Sequence, residues 1–228
     1  MEPVSRIVIV GTGTGVGKTH AGVALVSALG SAGASVAGLK PIESGVPSEP
    51  SEAATDAAAL AAVSTFHVKH PPPYALPDPV SPHLAARRVG TRIDLERVAA
   101  WADACAEAEV LLLETAGALL SPLGPGVFNL DLARVLRPDH LLLVAPDRLG
   151  VLHDVAVTLH ALRTLAADLP APVLLLQPPA VADASTGTNA EELVGLGIVS
   201  KVWGFPRATP TAPEVRTAAR SLLEALGF

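Results

Sequence analysis

The sequence predicts an α/β fold, with a predominantly parallel central sheet and helices on both of its faces. Short apolar runs recur at Ile7–Val10, Val36–Leu39, Val110–Leu113, Leu141–Val144, Val173–Leu176 and Val199–Phe205. Most are continuous rather than alternating with polar residues, as expected of strands buried on both sides. Between them, Thr19–Ser31, Leu95–Glu107, Val151–Asp168 and Glu214–Leu226 have helical composition and spacing. Strands separated by helices imply right-handed crossovers, and therefore parallel neighbours.

The bulk properties narrow the class. A chain of 228 residues suits one domain, 1–228, with a substantial core, and neither an internal repeat nor a linker divides it. Half the residues are hydrophobic, yet every apolar run is far shorter than the roughly 20 residues that cross a bilayer. No membrane role is expected. The first residues carry no basic flank and apolar segment of signal-peptide type. With a single cysteine, Cys105, no internal disulfide can form, which fits a cytoplasmic location. Cys105 lies at helical spacing with Leu95, Val98 and Ala102 and reads as a core thiol. The net charge of −6 gives no reason to expect nucleic acid as a partner. The six prolines of Pro71–Pro82 bar that segment from a central strand or a helix interior. It is either a surface loop or a wall over the strand ends.

The strongest chemical signal is G-T-G-T-G-V-G-K-T at Gly11–Thr19, directly after one predicted strand and directly before a predicted helix. Small residues let the backbone curl until successive N–H groups point at phosphate oxygens, and the helix N-terminus adds its dipole. This is the phosphate-binding loop of the P-loop NTPase fold, and it implies ATP and Mg²⁺ as cofactors. Gly15, Val16, Gly17, Lys18, Thr19 and His20 form the nucleotide-holding stretch. Lys18 is expected to reach the β- and γ-phosphates, and the Thr19 hydroxyl to ligate Mg²⁺. One departure is visible: the position five before Gly17, normally glycine, is Thr12. Glu114 ends the run Val110–Leu113, where open α/β sheets place their ligands. It is either a metal-binding acid or a strand-end carboxylate facing solvent. Asp56, in T-D-A-A-A-L, reads on its own as an acid at a helix start, favoured by the dipole. Only four of the sixteen basic residues are lysine, so Lys40 at the end of Val36–Leu39 stands out. It is either a snorkelling strand-end residue or a mobile charge for a phosphoryl group.

Five motifs in register, G-T-G-T-G-V-G-K-T, K-P-I-E-S-G at Lys40–Gly45, T-D-A-A-A-L around Asp56, S-P-H at Ser81–His83 and L-E-T-A-G at Leu113–Gly117, resemble the dethiobiotin synthetase family. The resemblance runs from the N-terminus to Gly150 and more loosely to Pro206. It implies ATP-dependent closure of a ureido ring on 7,8-diaminononanoate with CO₂ or bicarbonate, giving dethiobiotin, ADP and phosphate. On that resemblance Thr19, Asp56 and Glu114 would surround Mg²⁺, with Thr115, Ala116 and Gly117 beside the phosphates. Lys18 and Lys40 would be catalytic, holding the γ-phosphate and a carbamate. Ser44 and Thr14 would contact that carbamate or the diamine. Gln177 and Pro178, with Pro206 and Arg207 opposite, would flank the adenine. Gly150, Val151 and His153 would receive the substrate carboxylate from a partner subunit, implying a homodimer; from the residues alone, Gly150 can equally be a loop-to-helix turn.

The chain departs from the family at Thr115 and Ala118, usually glycine, and at His153-Asp154, usually Asn-His. His153 is expected to replace the amide as donor, with Asp154 turned outward. Two alternatives stand beside the synthetase: a partition or metal-cluster ATPase switch, and a nucleotide-binding module without ring-closing chemistry. The switch ATPases carry a second lysine where this chain has Gly13.

Overall fold

The computed structural model describes residues 4–47 and 55–228. In chain order the elements are β1 (Ser5–Gly11), α1 (Lys18–Ser31), β2 (Val36–Leu39), β3 (Ile42–Ser44), α2 (Asp56–Ala62), β4 (Tyr74–Leu76), α3 (Pro82–Arg88) and α4 (Leu95–Ala104). They continue with β5 (Val110–Glu114), β6 (Pro122–Gly124), β7 (Val127–Phe128), α5 (Asn129–Val135), β8 (His140–Pro146), α6 (Val151–Leu165), β9 (Val173–Gln177), α7 (Asn189–Gly195), β10 (Trp203–Gly204) and α8 (Pro213–Leu226). Six strands form one parallel sheet in the order β10-β9-β8-β1-β5-β2. The expected architecture is the observed one.

The continuous apolar runs are explained by two cores, one on each side of the sheet. Val8, Val10, Leu111, Leu113, Leu141 and Leu143 pack with Val98, Trp101, Leu132, Val155 and Leu162. Their neighbours Ile7, Ile9, Leu112, Leu142 and Val144 point the other way, onto Leu25, Leu60, Val215 and Leu222. A strand covered on both faces has no polar positions to alternate with. At the β2 edge, side chains replace a missing neighbour: Thr65 Oγ1 and Ser64 Oγ accept from the Val36 and Gly38 amides, both at 2.9 Å. Open backbone donors are thereby blunted.

The elements differ from expectation at their ends. Only Trp203–Gly204 of the run Val199–Phe205 pairs, with Leu175 and Leu176. Val199 and Val202 instead pack against the core, and Lys201 lies 3.8 Å over the Trp203 ring. Helix α6 stops at Leu165, short of Asp168, because Arg134 takes the Leu165 carbonyl and grips the Asp168 carboxylate. Helix α4 ends at Ala104, with Cys105 as its buried C-cap. The proline-rich segment supplies β4, parallel to β3 and outside the main sheet, and then Pro82 at the start of α3.

Candidate functional site

Parallel pairing sets the site, because it brings every strand's carboxyl end to one edge. Ile9 lies opposite Glu114, Gly11 opposite Val144, and Pro146 opposite Gln177. The chain therefore leaves the sheet at Gly11, Lys40, Glu114 and Gln177 along one rim. From Gly11 it curls through the loop into α1, whose N-cap Gly17 has φ 97°. Glycine is required there twice over. Side chains rarely adopt that φ, and a Cβ would meet Gln177 Cγ at 2.7 Å.

Lys18 and Lys40 converge. Both line a hollow of about 250 Å³ together with Thr14, Gly15, Gly17, Thr19, His20, Asp56, Glu114 and Gly117. Lys18 Nζ donates to the Gly13 carbonyl at 2.9 Å. Lys40 Nζ donates to Glu114 Oε1 at 2.7 Å and also to Asp56 Oδ2, and Thr19 Oγ1 donates to the same Glu114 oxygen at 3.0 Å. Glu114 is 1% exposed, which excludes the solvent-facing alternative. Asp56 is indeed the first residue of a helix, but its carboxylate turns away from that helix to Lys40.

Burial dominates the electrostatics. It brings the Lys18 pKa down to about 8, with Glu114 resisting and Lys40 reinforcing the shift. Burial also disfavours charge on Lys40, but Glu114 and Asp56 outweigh it and hold its pKa above the ordinary lysine value. Glu114 is pushed up by burial, with Lys40 pulling it back. Glu114 Oε2 has no hydrogen-bond partner among the described residues. A buried carboxylate oxygen left unmatched beside a second carboxylate and a hydroxyl is a donor set for a hard cation. Among the described residues no group of three or more His, Cys, Asp or Glu could hold a metal. Two acids and a hydroxyl suit an ion that keeps waters and phosphate oxygens as its remaining ligands.

A second hollow of about 440 Å³ shares Thr14, Lys40, Asp56 and Gly117 with the first and adds Glu43, Ser44, Pro79, Val80, Ser81, Pro82, Ala116 and Ser121. The end of the proline-rich segment is thus a wall of the site. Ser44 Oγ is buried without a partner. The substitutions at 115 and 118 leave the loop intact. Thr115 Oγ1 donates to the Ile9 carbonyl at 3.1 Å, and Ala118 N donates to Ser121 Oγ at 2.9 Å. Gly117, at φ 83°, cannot be replaced as easily: a Cβ would lie 2.8 Å from Ser121 Oγ.

Of the other expected residues, His20 edges the first hollow, whereas Gln177, Pro178, Pro206, Arg207, Gly150, Val151 and His153 line neither. Gln177 is 3% exposed, packed beneath Gly17, with Nε2 unpartnered. His20 Nε2 lies 2.8 Å from the Ala208 carbonyl, which brings α1 beside Pro206 and Arg207. Arg207 donates to the Ala180 carbonyl and so ties its loop to the one after Pro178. Gly150 is the left-handed N-cap of α6, Val151 is buried and His153 exposed. Asp154 faces Arg148 at 3.9 Å.

Two supporting residues escaped the sequence reading. Glu43, inside K-P-I-E-S-G, accepts from the Asp56 and Ala57 amides at 2.6 and 3.0 Å and so fixes the start of α2. Buried Asn129 donates to the Ala116 and Ala118 carbonyls and holds the loop after β5. The motif flagged Glu43's neighbourhood; nothing in the sequence flagged Asn129.

An AAA-domain family model matches residues 5–197. The ATP-dependent dethiobiotin synthetase BioD of Anaeromyxobacter dehalogenans is 37% identical over 96% of both chains. That of Nitrosospira multiformis is 38% identical over 71% of this chain and 70% of the relative. That of Methylobacterium nodulans is 34% identical over 89% and 96%. A ParA-family ATPase from Chlorobium tepidum superposes with TM-score 0.56 at 13% identity, over 99% of this chain and 93% of that one. The MinC:MinD complex from Aquifex aeolicus gives 0.56 at 14%, over 97% and 96%. Those two likenesses show the fold alone. The relatives decide the family: this chain belongs to the ATP-dependent dethiobiotin synthetases.

Proposed function

We propose that the chain closes the ureido ring of dethiobiotin on 7,8-diaminononanoate, using CO₂ and ATP and releasing ADP and phosphate. The observation that carries this is the pair of joined hollows with Lys40 at their junction. One has the curled backbone, helix start and lysines suited to a triphosphate. The other has hydroxyls and room suited to a small diamine. A carbamate formed on one amine would lie between Lys40 and Ser44, with Thr14 alongside. Its oxygen attacks the γ-phosphorus, ADP leaves, and the second amine displaces phosphate from the mixed anhydride. Such a reaction asks the protein for positioning and charge stabilisation, not for a side-chain nucleophile.

Thr19, Asp56 and Glu114 would hold Mg²⁺, which would offset triphosphate charge. Lys40 is bonded to Asp56 and Glu114, and it would be free to turn toward the phosphoryl group if those carboxylates served the ion. Gln177, Pro178, Pro206 and Arg207, with His20, would bound the adenine. A homodimer with shared sites is supported by exposed apolar residues around α6 and α7: Leu149, Val157, Leu165, Val181, Val194 and Leu196 are 43–82% exposed. Gly150 to His153 would then serve the partner's substrate carboxylate. No helix among the described residues is long and apolar enough to cross a membrane. The switch-ATPase alternative gains nothing from a fold likeness at 13–14% identity.

The decisive assay supplies ATP, Mg²⁺, bicarbonate and 7,8-diaminononanoate and looks for dethiobiotin by mass. ATP binding with no product would leave a nucleotide-binding module.

A further inference from the structure

We propose that Ser81 and His83 form a proton relay that takes up the proton released when the diamine nitrogen attacks CO₂. The relay rests on the synthetase reading above. Ser81 is the N-cap of α3, where a serine hydroxyl ordinarily accepts from the helix amides. Here it makes no such bond. Its Oγ lies instead 2.9 Å from His83 Nδ1, two residues on in the same S-P-H motif. Ser81 lines the larger hollow together with Lys40 and Ser44, whereas His83 lies outside that lining. The serine thus gives up a local stabilising contact to connect the hollow with an imidazole.

The chemistry needs an acceptor there. As the nitrogen–carbon bond forms, one C=O electron pair moves to oxygen, and the nitrogen must shed a proton to become a neutral carbamate nitrogen. That proton passes to Ser81 Oγ while the hydroxyl's own proton passes to His83 Nδ1. The products are a carbamate anion and an imidazolium, and charge is conserved.

The other titratable groups nearby are already engaged. Lys40 is bonded to Asp56 and Glu114, and Lys18 to the Gly13 carbonyl. Glu43 holds two α2 amides. Helix α3 packs on β3, β4 and β6. Of the ionisable side chains these strands carry, Glu43 is spoken for and the Tyr74 hydroxyl accepts from Asp94 N at 2.8 Å. On α3 itself the remaining charges are Arg87 and Arg88, which are not bases, and Arg88 is paired with Asp78 at 2.9 Å.

The test compares wild type with Ser81→Ala, His83→Gln and His83→Ala in single-turnover reactions at saturating diamine. Wild type must first yield dethiobiotin; failure at that stage removes the synthetase reading itself. Given an active wild type, the relay requires the rate constant to fall roughly 100-fold or more in Ser81→Ala and His83→Gln. ATP affinity and the diamine concentration at half-maximal rate should stay within a few-fold of wild type, and added imidazole should recover part of the His83→Ala loss. A rate constant within tenfold of wild type in either of the first two variants overturns the relay. So does a loss that appears only in diamine affinity, which would make the pair a piece of the wall.

Discussion

An apolar cavity roomier than either hollow and the proposed site lie at opposite ends of the same sheet. The larger, about 710 Å³, sits where β9 and β10 begin and is walled by Leu162, Leu169, Val173, Trp203 and Leu222. Among the described residues, its charged lining is Arg163 and Lys201. The two joined hollows at the carboxyl ends are smaller, 250 and 440 Å³, yet hold Lys18, Lys40, Glu43, Asp56 and Glu114. Charge at the carboxyl ends has to be desolvated, which opposes folding unless partners are supplied. Such a cluster points to chemistry where a large apolar cleft does not.

The sharpest way to break this contrast is Lys40→Ala. It removes a side chain that lines both hollows and bonds both carboxylates, so turnover should fall by on the order of 10²–10³ or more. ATP affinity should stay within a few-fold, since the loop amides and Lys18 remain. Steady-state turnover and equilibrium ATP binding on the same preparation decide it, and near-normal turnover ends the role given to Lys40. Leu222→Ala is the matching change at the apolar end. Leu222 is fully buried, so truncation should cost about 2–5 kcal/mol of unfolding free energy. ATP affinity of the folded protein should not move. Denaturant unfolding and a binding isotherm separate the two; weakened binding would mean the two ends are coupled.

These two ends were not equally legible in the sequence. Gly11–Thr19, Glu114 and Lys40 could be read because a buried parallel strand announces its own carboxyl end, and a polar residue placed there has few other uses. Glu114 at 1% exposure and Lys40 beside it are what that logic demands. Glu43 was hidden because its task is a tertiary contact: its carboxylate reaches amides thirteen and fourteen residues onward, a distance no local pattern encodes. Asn129 was hidden for the same reason, and the edge strand β10 because two paired residues leave almost no periodicity.

Glu43 also sharpens the distinction between a ligand and what holds it. Asp56→Asn should weaken Mg²⁺-dependent ATP binding directly. Glu43→Ala frees the amides of Asp56 and Ala57, so it should raise the Mg²⁺ concentration for half-maximal ATP binding by about tenfold, with Glu43→Gln in between. Titration of ATP binding against Mg²⁺ reads this without turnover. An unchanged midpoint in Glu43→Ala would make the carboxylate a helix cap and nothing more.

The smallest effect expected is at Cys105, which separates a core thiol from the reactive groups of the charged end. Burial, with Glu107 adding to it, raises its pKa to about 11. Thiolate is the reactive form, so the native protein should resist alkylation at neutral pH and react when unfolded. The linkage has a definite sign. Between the ordinary thiol value of 9.0 and about 11 the folded chain keeps a proton that the unfolded chain has lost. Stability contributed by the neutral thiol is therefore complete below that window and declines as pH rises through it. Comparing unfolding of wild type and Cys105→Ala on both sides of the window isolates this slope from every other group. Equal slopes would place the thiol in water, contrary to its 1% exposure.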